Sequence, residues 1–492
     1  MDFATELETC LKEFFAPGSV EMYENGGHAG SYSGLSWEVR GGREKPLLHL
    51  WSEQLNLTRR VLAITDRSSD CLALAVERFG RARPDRLEFV RREFERGARQ
   101  LSRAQFREQL AHLLAEQFPD ESIESLTISA DLEHSLSGNY ARGLLRHGSI
   151  RYAVLAVPSG ESADSADNSL TFALLWLARA RQSTAGGPIA GLRLILPKNA
   201  TRTVAHRIAA LDKQLNVELH EVDPVLNVLE RVDPIRAGNV DTWLVPVRES
   251  ESLLQRAKPE LESIVVAGPK TISLHPVVQT SEVWMRFRGL PFARWEDGRV
   301  YFGIDDCKEE LMSGSRRALK QLLQNLETYR NPLAIETRHA LYRAQPERWL
   351  ESLVRADVTR VDAALDPRFV YTQVFASAGG EHGILDLLTA TSTGRLAIIE
   401  LKASEHIHLP LQAADYWLRV RKHLENGDFA RYGYFPGIEL QRTAPVVYLV
   451  APAIRFHPST DELLRFLTPE LEVTRVGLTE NWRHGLRVVL RQ

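Results

Sequence analysis

The chain has 492 residues, 44% of them hydrophobic, and a formal net charge of −3. This length corresponds to about three to four domains, and the near-neutral charge excludes a protein that is basic throughout, so any nucleic-acid surface has to be local. The three cysteines lie far apart and match no zinc-binding spacing. No apolar run approaches a membrane span, and the acidic N-terminus is unlike a signal peptide. We therefore expect a cytoplasmic protein.

The first part of the chain is predicted to be β-rich, with a basic helical connector. Apolar residues at helical spacing predict a helix over residues 2–15, and helical sequence resumes over 69–118. Between these helices lie three β-like segments, at 34–40, 47–51 and 59–64. The region 81–107 carries nine arginines and four acidic residues. Such a charged helix face is either a nucleic-acid contact or simply solvated.

Residues 122–222 alternate between strand-like and helix-like runs. The strand-like runs lie at 144–145, 150–157 and 192–196. The helix-like runs lie at 169–181 and 203–215. Alternation of this kind is typical of an α/β domain, in which helices cover the faces of a sheet.

Two short segments alternate aromatic or apolar residues with charged ones. They are Trp37-Glu-Val-Arg40 and Trp284-Met-Arg-Phe-Arg288. A strand with this pattern buries one face and exposes arginines on the other. Arginines can grip phosphates and aromatic rings can stack on bases, so Trp37, Arg40, Arg286 and Arg288 are candidate nucleic-acid contacts. The alternative is an ordinary half-solvated antiparallel sheet.

The most informative stretch is residues 383–418. Residues 395–401 are almost entirely apolar, which is typical of a buried strand, yet Glu400 lies near their end. A buried carboxylate is costly unless it is paired or binds a metal. Lys402 follows two residues later, so both side chains project from the same face of the strand.

A second acidic residue is expected beside this strand. Gly394 and its polar neighbours predict a turn, and an antiparallel hairpin through it would place Asp386 next to Glu400. Two carboxylates and an ammonium at the end of a rigid sheet suit metal-assisted phosphodiester cleavage. Hard oxygen ligands hold Mg²⁺, which polarises the phosphate and activates water. Lys402 would orient that water and stabilise developing charge.

This pattern resembles the PD-(D/E)XK phosphodiesterase superfamily, the restriction-endonuclease-like fold, over roughly residues 333–455. Asp386, Glu400 and Lys402 match its D…ExK core. Gln412 and Tyr416 match the Q-x-x-x-Y helix that follows the core in many members. Leu385 stands where the superfamily name has proline.

The resemblance implies a role for each residue of the site. Asp386 and Glu400 would bind Mg²⁺ or Mn²⁺ together with the Leu401 carbonyl. Glu351 would reach the metal from the preceding helix, as a glutamate does in many members; the alternative is a solvated helix face. Gln412 would support the site or pack its helix, and Lys402 would position the nucleophilic water.

Two histidines follow the catalytic strand in the sequence Glu405-His-Ile-His-Leu409. The alternation and the following Leu-Pro predict an extended loop that enters the Gln412 helix. His406 and His408 are therefore candidates for DNA contact, with packing of the loop as the alternative. Metal binding by His-x-His is less favoured, because only one acidic residue lies nearby.

An internal repeat sets the predicted architecture. A shift of 244 residues places 394–402 on 150–158 without a gap, and it places the Gln412 helix on the helix that begins near Asn168. Under this alignment Arg142, Ala156 and Pro158 replace Asp386, Glu400 and Lys402. None of these residues can bind metal or present an ammonium. We therefore expect one inactive and one active nuclease-like domain.

The predicted fold class is mixed α/β, with two repeats that each combine a small β-rich module and a restriction-endonuclease-like sandwich. The expected domains are 1–100, 101–224, 225–332 and 333–492. They are, in order, a β-rich module with its connector, an inactive nuclease-like domain, a second such module and a catalytic domain. The expected function is Mg²⁺-dependent endonucleolytic cleavage of DNA, with one active site that nicks or cuts single strands.

The expected partners are nucleic acid, above all DNA, and proteins of a defence or repair system, with no membrane. The chain would be a monomer that imitates a dimer, or a homodimer. Two alternatives remain at this point. One is a non-catalytic nucleic-acid-binding protein or complex subunit. The other is a ligand-activated nuclease of the CRISPR ancillary type, although that family has Rossmann-like sensors and residues 1–100 and 225–332 are β-rich.

Overall fold

The computed structural model divides the chain into two compact units, residues 1–105 and 106–492. In its described part, no helix combines the length and the apolar character needed to cross a bilayer. The described residues are 3–15, 19–24, 27–33, 36–40, 46–51, 56–67, 71–77, 85–91, 93–131, 134–158, 161, 163–182, 187–223, 228–238, 242–267, 271–304, 307, 309–372, 374–377 and 385–492.

The first unit is a helix packed on a seven-stranded antiparallel sheet with strand order β2-β1-β7-β6-β5-β4-β3. Its elements are α1 (Phe3–Phe14), β1 (Ser19–Glu24), β2 (Gly27–Ser33), β3 (Ser36–Arg40), β4 (Leu47–Trp51), β5 (Asn56–Arg67), β6 (Cys71–Glu77) and β7 (Asp85–Arg91). Leu7 and Leu11 of α1 are fully buried against Leu74 and Phe89 of the sheet. The β-rich character predicted for this region is thus present.

The prediction of helix over 69–118 was wrong for its first part. Residues Cys71–Glu77 and Asp85–Arg91 form neighbouring inner strands of the sheet, and only α2 (Glu93–Gln117) is helical. Leu72, Ala73, Leu74 and Val76 are buried. A short run of apolar residues fits a buried strand as well as a helix, so periodicity did not distinguish them.

The first α/β domain follows α2 and has a six-stranded sheet with order β13-β12-β11-β10-β9-β8. Its elements are β8 (Ser122–Thr127), β9 (Ala141–His147), β10 (Ile150–Ala156), α3 (Ala163–Gln182), β11 (Ile189–Pro197), α4 (Arg202–Ile208), β12 (Val217–Asp223) and β13 (Val228–Val232). β10, β11 and β12 are parallel, and the flanking pairs are antiparallel. β13 continues this sheet beyond residue 224.

A second antiparallel sheet forms the centre of the next region, with order β15-β16-β17-β18-β19. The elements here are α5 (Pro234–Ala237), β14 (Thr242–Leu244), α6 (Val247–Ala267), β15 (Ile272–Val277), β16 (Glu282–Phe287), β17 (Leu290–Glu296), β18 (Arg299–Phe302), β19 (Glu309–Glu310), α7 (Arg316–Tyr329) and α8 (Ala340–Arg343). α6 and α7 pack on the sheet through Leu261 and Leu326, which meet Phe292 in one core. We call this sheet with its two helices the β module.

The second α/β domain has a sheet with order β21-β22-β23-β24-β25. Its elements are α9 (Pro346–Ala356), β20 (Phe375–Ser377), β21 (Leu387–Ala390), β22 (Leu396–Leu401), α10 (Leu409–Glu425), α11 (Asp428–Arg431), β23 (Val446–Pro452), α12 (Thr460–Leu464), β24 (Val473–Leu478) and β25 (Val488–Arg491). β22, β23 and β24 are parallel, between antiparallel β21 and β25. β20 pairs with β14 instead. The chain is therefore mixed α/β, as predicted.

The two α/β sheets share one sequence of connections. In each, an antiparallel hairpin is followed by a helix and then by a strand parallel to the second strand of the hairpin. A second helix, a further parallel strand and a last antiparallel strand complete the sheet. α3 and α4 of the first domain pack against α10 and α12 of the second, and both domains contribute to one apolar core. α9 covers the opposite face of the second sheet, where Trp349 and Val354 are fully buried.

One buried arginine ties the β module to α9. Arg330 has no exposed surface and donates hydrogen bonds to the main-chain oxygens of Phe287, Arg288, Leu341 and Ala344, at 2.7–3.2 Å. Its guanidinium also lies 4.8 Å from the ring centroid of Trp349 in α9. These contacts fix the β16–β17 turn against the start of α9, and the cleft between them borders the candidate site.

Candidate active site

The hairpin β21–β22 brings Asp386 and Glu400 together, as the sequence predicted. Leu387 pairs with Ile399 in an antiparallel register, so the next pair outward is Asp386 and Glu400. The Asp386 carboxylate accepts a hydrogen bond of 2.9 Å from the Leu401 N–H. Gly394 forms the turn with φ of +88°, a conformation that favours glycine. Both acidic groups therefore stand at one end of a rigid hairpin.

Lys402 completes this group from the same strand edge. Its Nζ lies 3.5 Å from Glu400 Oε1 and 3.8 Å from Glu347 Oε2. The expected alternation along the strand is confirmed, because the Glu400 and Lys402 side chains meet each other. Glu347 is in the first turn of α9, where an acidic side chain also complements the helix dipole.

α9 contributes two more charged groups. Glu351 is 3% exposed, and its Oε2 accepts a 2.6 Å hydrogen bond from Arg348 Nη1. The same Arg348 nitrogen lies 3.9 Å from Asp386 Oδ1. Glu351 is thus near enough to Asp386 for its charge to act on that carboxyl, and it is paired with an arginine that the sequence did not single out. Its approach to a metal stays a prediction.

Burial dominates the electrostatics of the carboxylates. It raises the pKa of Asp386 to about 6, while the Lys402 charge acts in the opposite direction. Burial, followed by the charge of Asp386, raises the pKa of Glu400 well above its usual value. Burial works against the Lys402 ammonium, but Glu400, Glu347 and Asp386 together raise its pKa. The two carboxylates therefore form a site in which an added cation would be stabilised.

The helix α10 carries Gln412 and Tyr416, and the tyrosine lies close enough to the acidic pair for their charges to act on its phenol. The Gln412 side-chain oxygen is buried without a hydrogen-bond partner, and so is Glu400 Oε2. Tyr416 is 9% exposed, and burial, then the charges of Glu400 and Asp386, raise the pKa of its phenol. Unpartnered buried oxygens are costly, so both acceptors point to a missing donor or cation.

The donor set fits a magnesium ion better than a transition metal. Across the described part of the chain, no three His, Cys, Asp or Glu side chains are grouped closely enough to hold a metal on their own. Mg²⁺ retains several waters and commonly uses only one or two carboxylates. Asp386 and Glu400, the latter with an unpartnered oxygen, supply two carboxylates of that kind.

The two histidines after the strand have different surroundings. His408 Nδ1 lies 2.8 Å from Thr171 Oγ1 of the first α/β domain, and its ring contacts Phe172 edge-on at 5.4 Å. Burial lowers the pKa of His408 to about 3. Burial and then Lys402 lower the pKa of His406 to about 4, and its Nδ1 has no partner. His408 therefore joins the two domains, whereas His406 borders the site.

The four residues proposed from the strand patterns as nucleic-acid contacts have different surroundings. Arg286 and Arg288 lie beside α9, in the cleft next to the site. Trp37 is half-buried against the core of the first unit, which is the packing alternative considered for it. Arg40 ends β3, but its side chain lies outside the described residues, as do those of residues 93–102 in the basic helix α2.

The first α/β domain lacks the acidic pair, but the register differs from the gapless alignment. Ala156 pairs with Ala141, so Ala141 and not Arg142 is the neighbour that corresponds to Asp386. Arg142 is 4% exposed and donates to the main-chain oxygens of Ser137 and Ser129. The hairpin turn of β9–β10 is tighter than that of β21–β22, and this difference shifts the pairing by one residue.

Several residues near the site were missed by the sequence analysis. Arg348, His275 and Arg355 come from α9 and from β15, which are distant in sequence and adjacent in the structure. No spacing rule connects a strand of the β module with a helix of the second α/β domain. The only signal was the pair of arginines in α9, and arginines on a helix are equally typical of solvated surfaces.

No family model matches the chain, and no curated protein is significantly similar to it.

Proposed function

We propose that the second α/β domain is a metal-dependent nuclease of the PD-(D/E)XK type that hydrolyses phosphodiester bonds of DNA. The observation that supports this most is the convergence of Asp386, Glu400 and Lys402 at one end of the β21–β22 hairpin. A solvated strand end would not bury Glu400 to 2% exposure with an unpartnered oxygen. An active site accepts that cost because the buried carboxylates are needed for chemistry.

Asp386, Glu400 and the Leu401 carbonyl would hold Mg²⁺ or Mn²⁺. Bound there, the ion would supply Lewis acidity toward a phosphate oxygen and a lowered pKa for water. The Leu401 N–H holds the Asp386 carboxylate in place at 2.9 Å. Lys402, between Glu400 and Glu347, presents positive charge to the attacking water and to the developing charge on phosphate. Gln412, whose amide oxygen is buried without a hydrogen-bond partner, would support the site from α10.

We also propose that the two α/β domains arose by duplication and that the first lost its chemistry. The shared order of connections supports this proposal, and so does the presence of Ala141, Ala156 and Pro158 where the second domain has acids and lysine. A single active site per chain would cut one strand at a time. The first domain would then serve as a scaffold for α10.

The test is incubation of the purified chain with supercoiled plasmid, circular single-stranded DNA and RNA, in Mg²⁺, Mn²⁺ or EDTA. We expect metal-dependent cleavage, with an open-circular plasmid intermediate. Asp386→Asn and Lys402→Ala should each reduce the rate by about 10²-fold or more. Lys320→Ala, at an exposed position of α7, is the matched control.

Two outcomes would contradict the proposal. Equal cleavage by Asp386→Asn and the unmodified chain would show that activity arises elsewhere or from a contaminant. Binding of nucleic acid without cleavage in any metal would favour the non-catalytic alternative. Linear plasmid formed without an open-circular intermediate would overturn only the single-strand mechanism.

A further inference from the structure

A basic cavity lies beside the candidate active site, between the β module and α9. Its volume is about 370 Å³, and its charged lining consists of Arg286, Arg288, Arg348, Arg355 and Glu351, with His275 between the arginines. This volume lies within the range of small-molecule sites. Arg348 connects the two sites, because it lines the cavity and its Nη1 is 3.9 Å from Asp386.

The positive charge in the cavity is not balanced by carboxylates. Glu351 is the one acidic group in the lining, and its Oε2 is already bonded to Arg348 at 2.6 Å. Among the described residues, no carboxylate lies within ion-pair distance of Arg286, Arg288 or Arg355. Arg286 is only 7% exposed. Burying a guanidinium without a counter-charge is costly, so the cavity favours an anion.

His275 cannot satisfy both of the arginines that contact it. Its Nδ1 is 3.5 Å from Arg286 Nη1, and its Nε2 is 3.2 Å from Arg355 Nη1 and 2.9 Å from Ser273 Oγ. Burial, then the charges of Arg286 and Arg355, lower the pKa of His275 well below its usual value, so the ring is neutral. A neutral imidazole has one acceptor nitrogen, whereas guanidinium groups only donate. One arginine therefore always lacks an acceptor here.

Two further arginine donors in the cavity also lack a hydrogen-bond acceptor. The Nε atoms of Arg286 and Arg288 are buried without hydrogen-bond partners. A buried donor without an acceptor destabilises the fold, and the same group becomes a strong binding contact when a charged acceptor enters. The cavity thus combines unsatisfied donors from β16 and the turn that follows it with an arginine of α9.

We propose that this arginine pocket binds a phosphate dianion, carried by the end of a nucleic-acid strand whose neighbouring bond reaches Asp386 and Glu400. The inference rests on the proposed nuclease function for its choice of ligand. A terminal phosphate monoester carries close to two negative charges and three acceptor oxygens, which matches three guanidinium groups without a carboxylate partner better than an internal diester does. The pocket would direct cleavage to positions near a strand end.

The test measures binding in EDTA, so that it does not depend on catalysis. Fluorescent single-stranded oligonucleotides that carry a 5′-phosphate, a 3′-phosphate or only hydroxyl ends are titrated with the chain. We expect one phosphorylated end to bind about tenfold more tightly than the hydroxyl form. Arg355→Gln should remove that preference, and Arg355→Lys should retain part of it. Arg360→Gln, which alters a guanidinium that is 65% exposed, should leave it unchanged.

A parallel measurement separates a strand end from a free anion. Orthophosphate and nucleoside monophosphates are added to the unmodified chain and to Arg355→Gln, and thermal unfolding is followed. Stabilisation of the unmodified chain alone, without an oligonucleotide end preference, would assign the pocket to a free phosphate compound. The phosphate pocket is refuted if neither ligand class distinguishes the two proteins. Circular dichroism shows whether Arg355→Gln is folded, and Arg288→Gln provides a second test if it is not.

The two proposals fail in different ways. If the nuclease proposal is wrong, no cleavage is seen, but phosphate binding in EDTA persists. If the pocket proposal is wrong, cleavage occurs and Asp386→Asn abolishes it, but phosphorylated and hydroxyl ends bind equally.

Discussion

Leu211 and Leu467 form an antiparallel β-bridge with each other, and they occupy the same position in the two α/β domains. Each lies shortly before the last parallel strand of its sheet, β12 in the first domain and β24 in the second. The flanking hydrogen bonds are exchanged in the same way. Asp212 N–H donates to Phe466 O at 2.9 Å, and Thr468 N–H donates to Ala210 O at 2.8 Å.

This arrangement has the form of a local two-fold axis. In an isologous contact, residue i of one subunit meets residue j of the other and residue j meets residue i. The two donors, Asp212 and Thr468, are 256 residues apart, and so are the two acceptors, Ala210 and Phe466. Each domain therefore donates one hydrogen bond to the other from an equivalent position. The contact between the domains therefore resembles a dimer interface within one chain, in agreement with the proposed duplication.

A buried ion-pair network at this interface should be important for stability. Asp415 of α10 accepts from Arg419 Nε at 2.9 Å and lies 3.1 Å from His206 Nε2 and 3.8 Å from Arg207 Nη2. Asp415→Ala leaves buried cations uncompensated, so we expect a loss of about 3–5 kcal/mol in the free energy of unfolding. Urea denaturation measures it.

The same helix supplies a matched control. Arg421 and Glu425 form an exposed pair with the same spacing, at 2.8 Å. Glu425→Ala should cost no more than about 0.5 kcal/mol. Equal losses for Asp415→Ala and Glu425→Ala would show that the buried network does not hold the domains together.

The stability of this interface should depend on pH. Burial opposes the Asp415 charge, but His206, Arg419 and Arg207 outweigh it and hold the pKa of that carboxyl below its usual range. A lowered folded pKa gives stability that is present above the unfolded pKa, about 4, and is lost as pH falls. Urea midpoints should therefore fall more steeply below about pH 4 for the unmodified chain than for Asp415→Asn. Parallel curves would contradict this assignment.

The proposed metal site should cost stability when no metal is present. The raised pKa of Glu400 means that its ionisation costs more free energy in the folded protein than in the unfolded chain. Glu400→Gln removes that charge, so we expect an increase of about 1–2 kcal/mol in the free energy of unfolding in EDTA. Mg²⁺ should then stabilise the unmodified chain and not the variant.

Glu439→Gln is the control for this measurement, because Glu439 is exposed. It should leave both the stability in EDTA and the response to Mg²⁺ unchanged. A Glu400→Gln variant that is less stable than the unmodified chain in EDTA would indicate that the carboxylate has a structural role.

Gly289 should be essential for the cleft. It lies in the β16–β17 turn with φ of +79°, and a Cβ there would be 1.9 Å from the Arg348 carbonyl oxygen. Gly298, in the β17–β18 turn, has φ of +80° and no atom within 4 Å of such a Cβ. Gly298→Ala should cost about 1 kcal/mol from backbone strain alone. Gly289→Ala should cost about 2 kcal/mol more, from overpacking.

Urea denaturation of both variants measures these costs, and the oligonucleotide titration measures the effect on the pocket. Only Gly289→Ala should weaken binding of a phosphorylated end, because it alone displaces α9 from the turn. If both variants lose the same stability and keep the same binding, the close approach of the turn to Arg348 is unimportant.

The sequence contained enough information for the core of the site and too little for its surroundings. Asp386, Glu400 and Lys402 lie on one hairpin, so strand alternation and one glycine turn were sufficient to place them together. The arginine pocket depends on the docking of β15 and β16 against α9. That docking is a tertiary relationship, and no local pattern around Arg286 or Arg355 encodes it.

Two further misjudgements have local causes. Residues 71–77 were predicted as helix, because a short apolar run fits either element and the hydrogen bonds of neighbouring strands decide between them. Arg142 was aligned with Asp386, because a gapless comparison cannot detect a tighter turn. A difference of one residue in a hairpin turn changes which residue lies opposite Ala156.

Arg330 determines how the cleft can vary. Its guanidinium spans the β16–β17 turn and the segment around α8, and every partner it has there is a main-chain oxygen. Main-chain oxygens are the same whatever side chains the neighbouring positions carry. Substitutions along the cleft can therefore change its charge and shape while the distance between its walls stays fixed, so ligand preference can evolve separately from the frame that carries it.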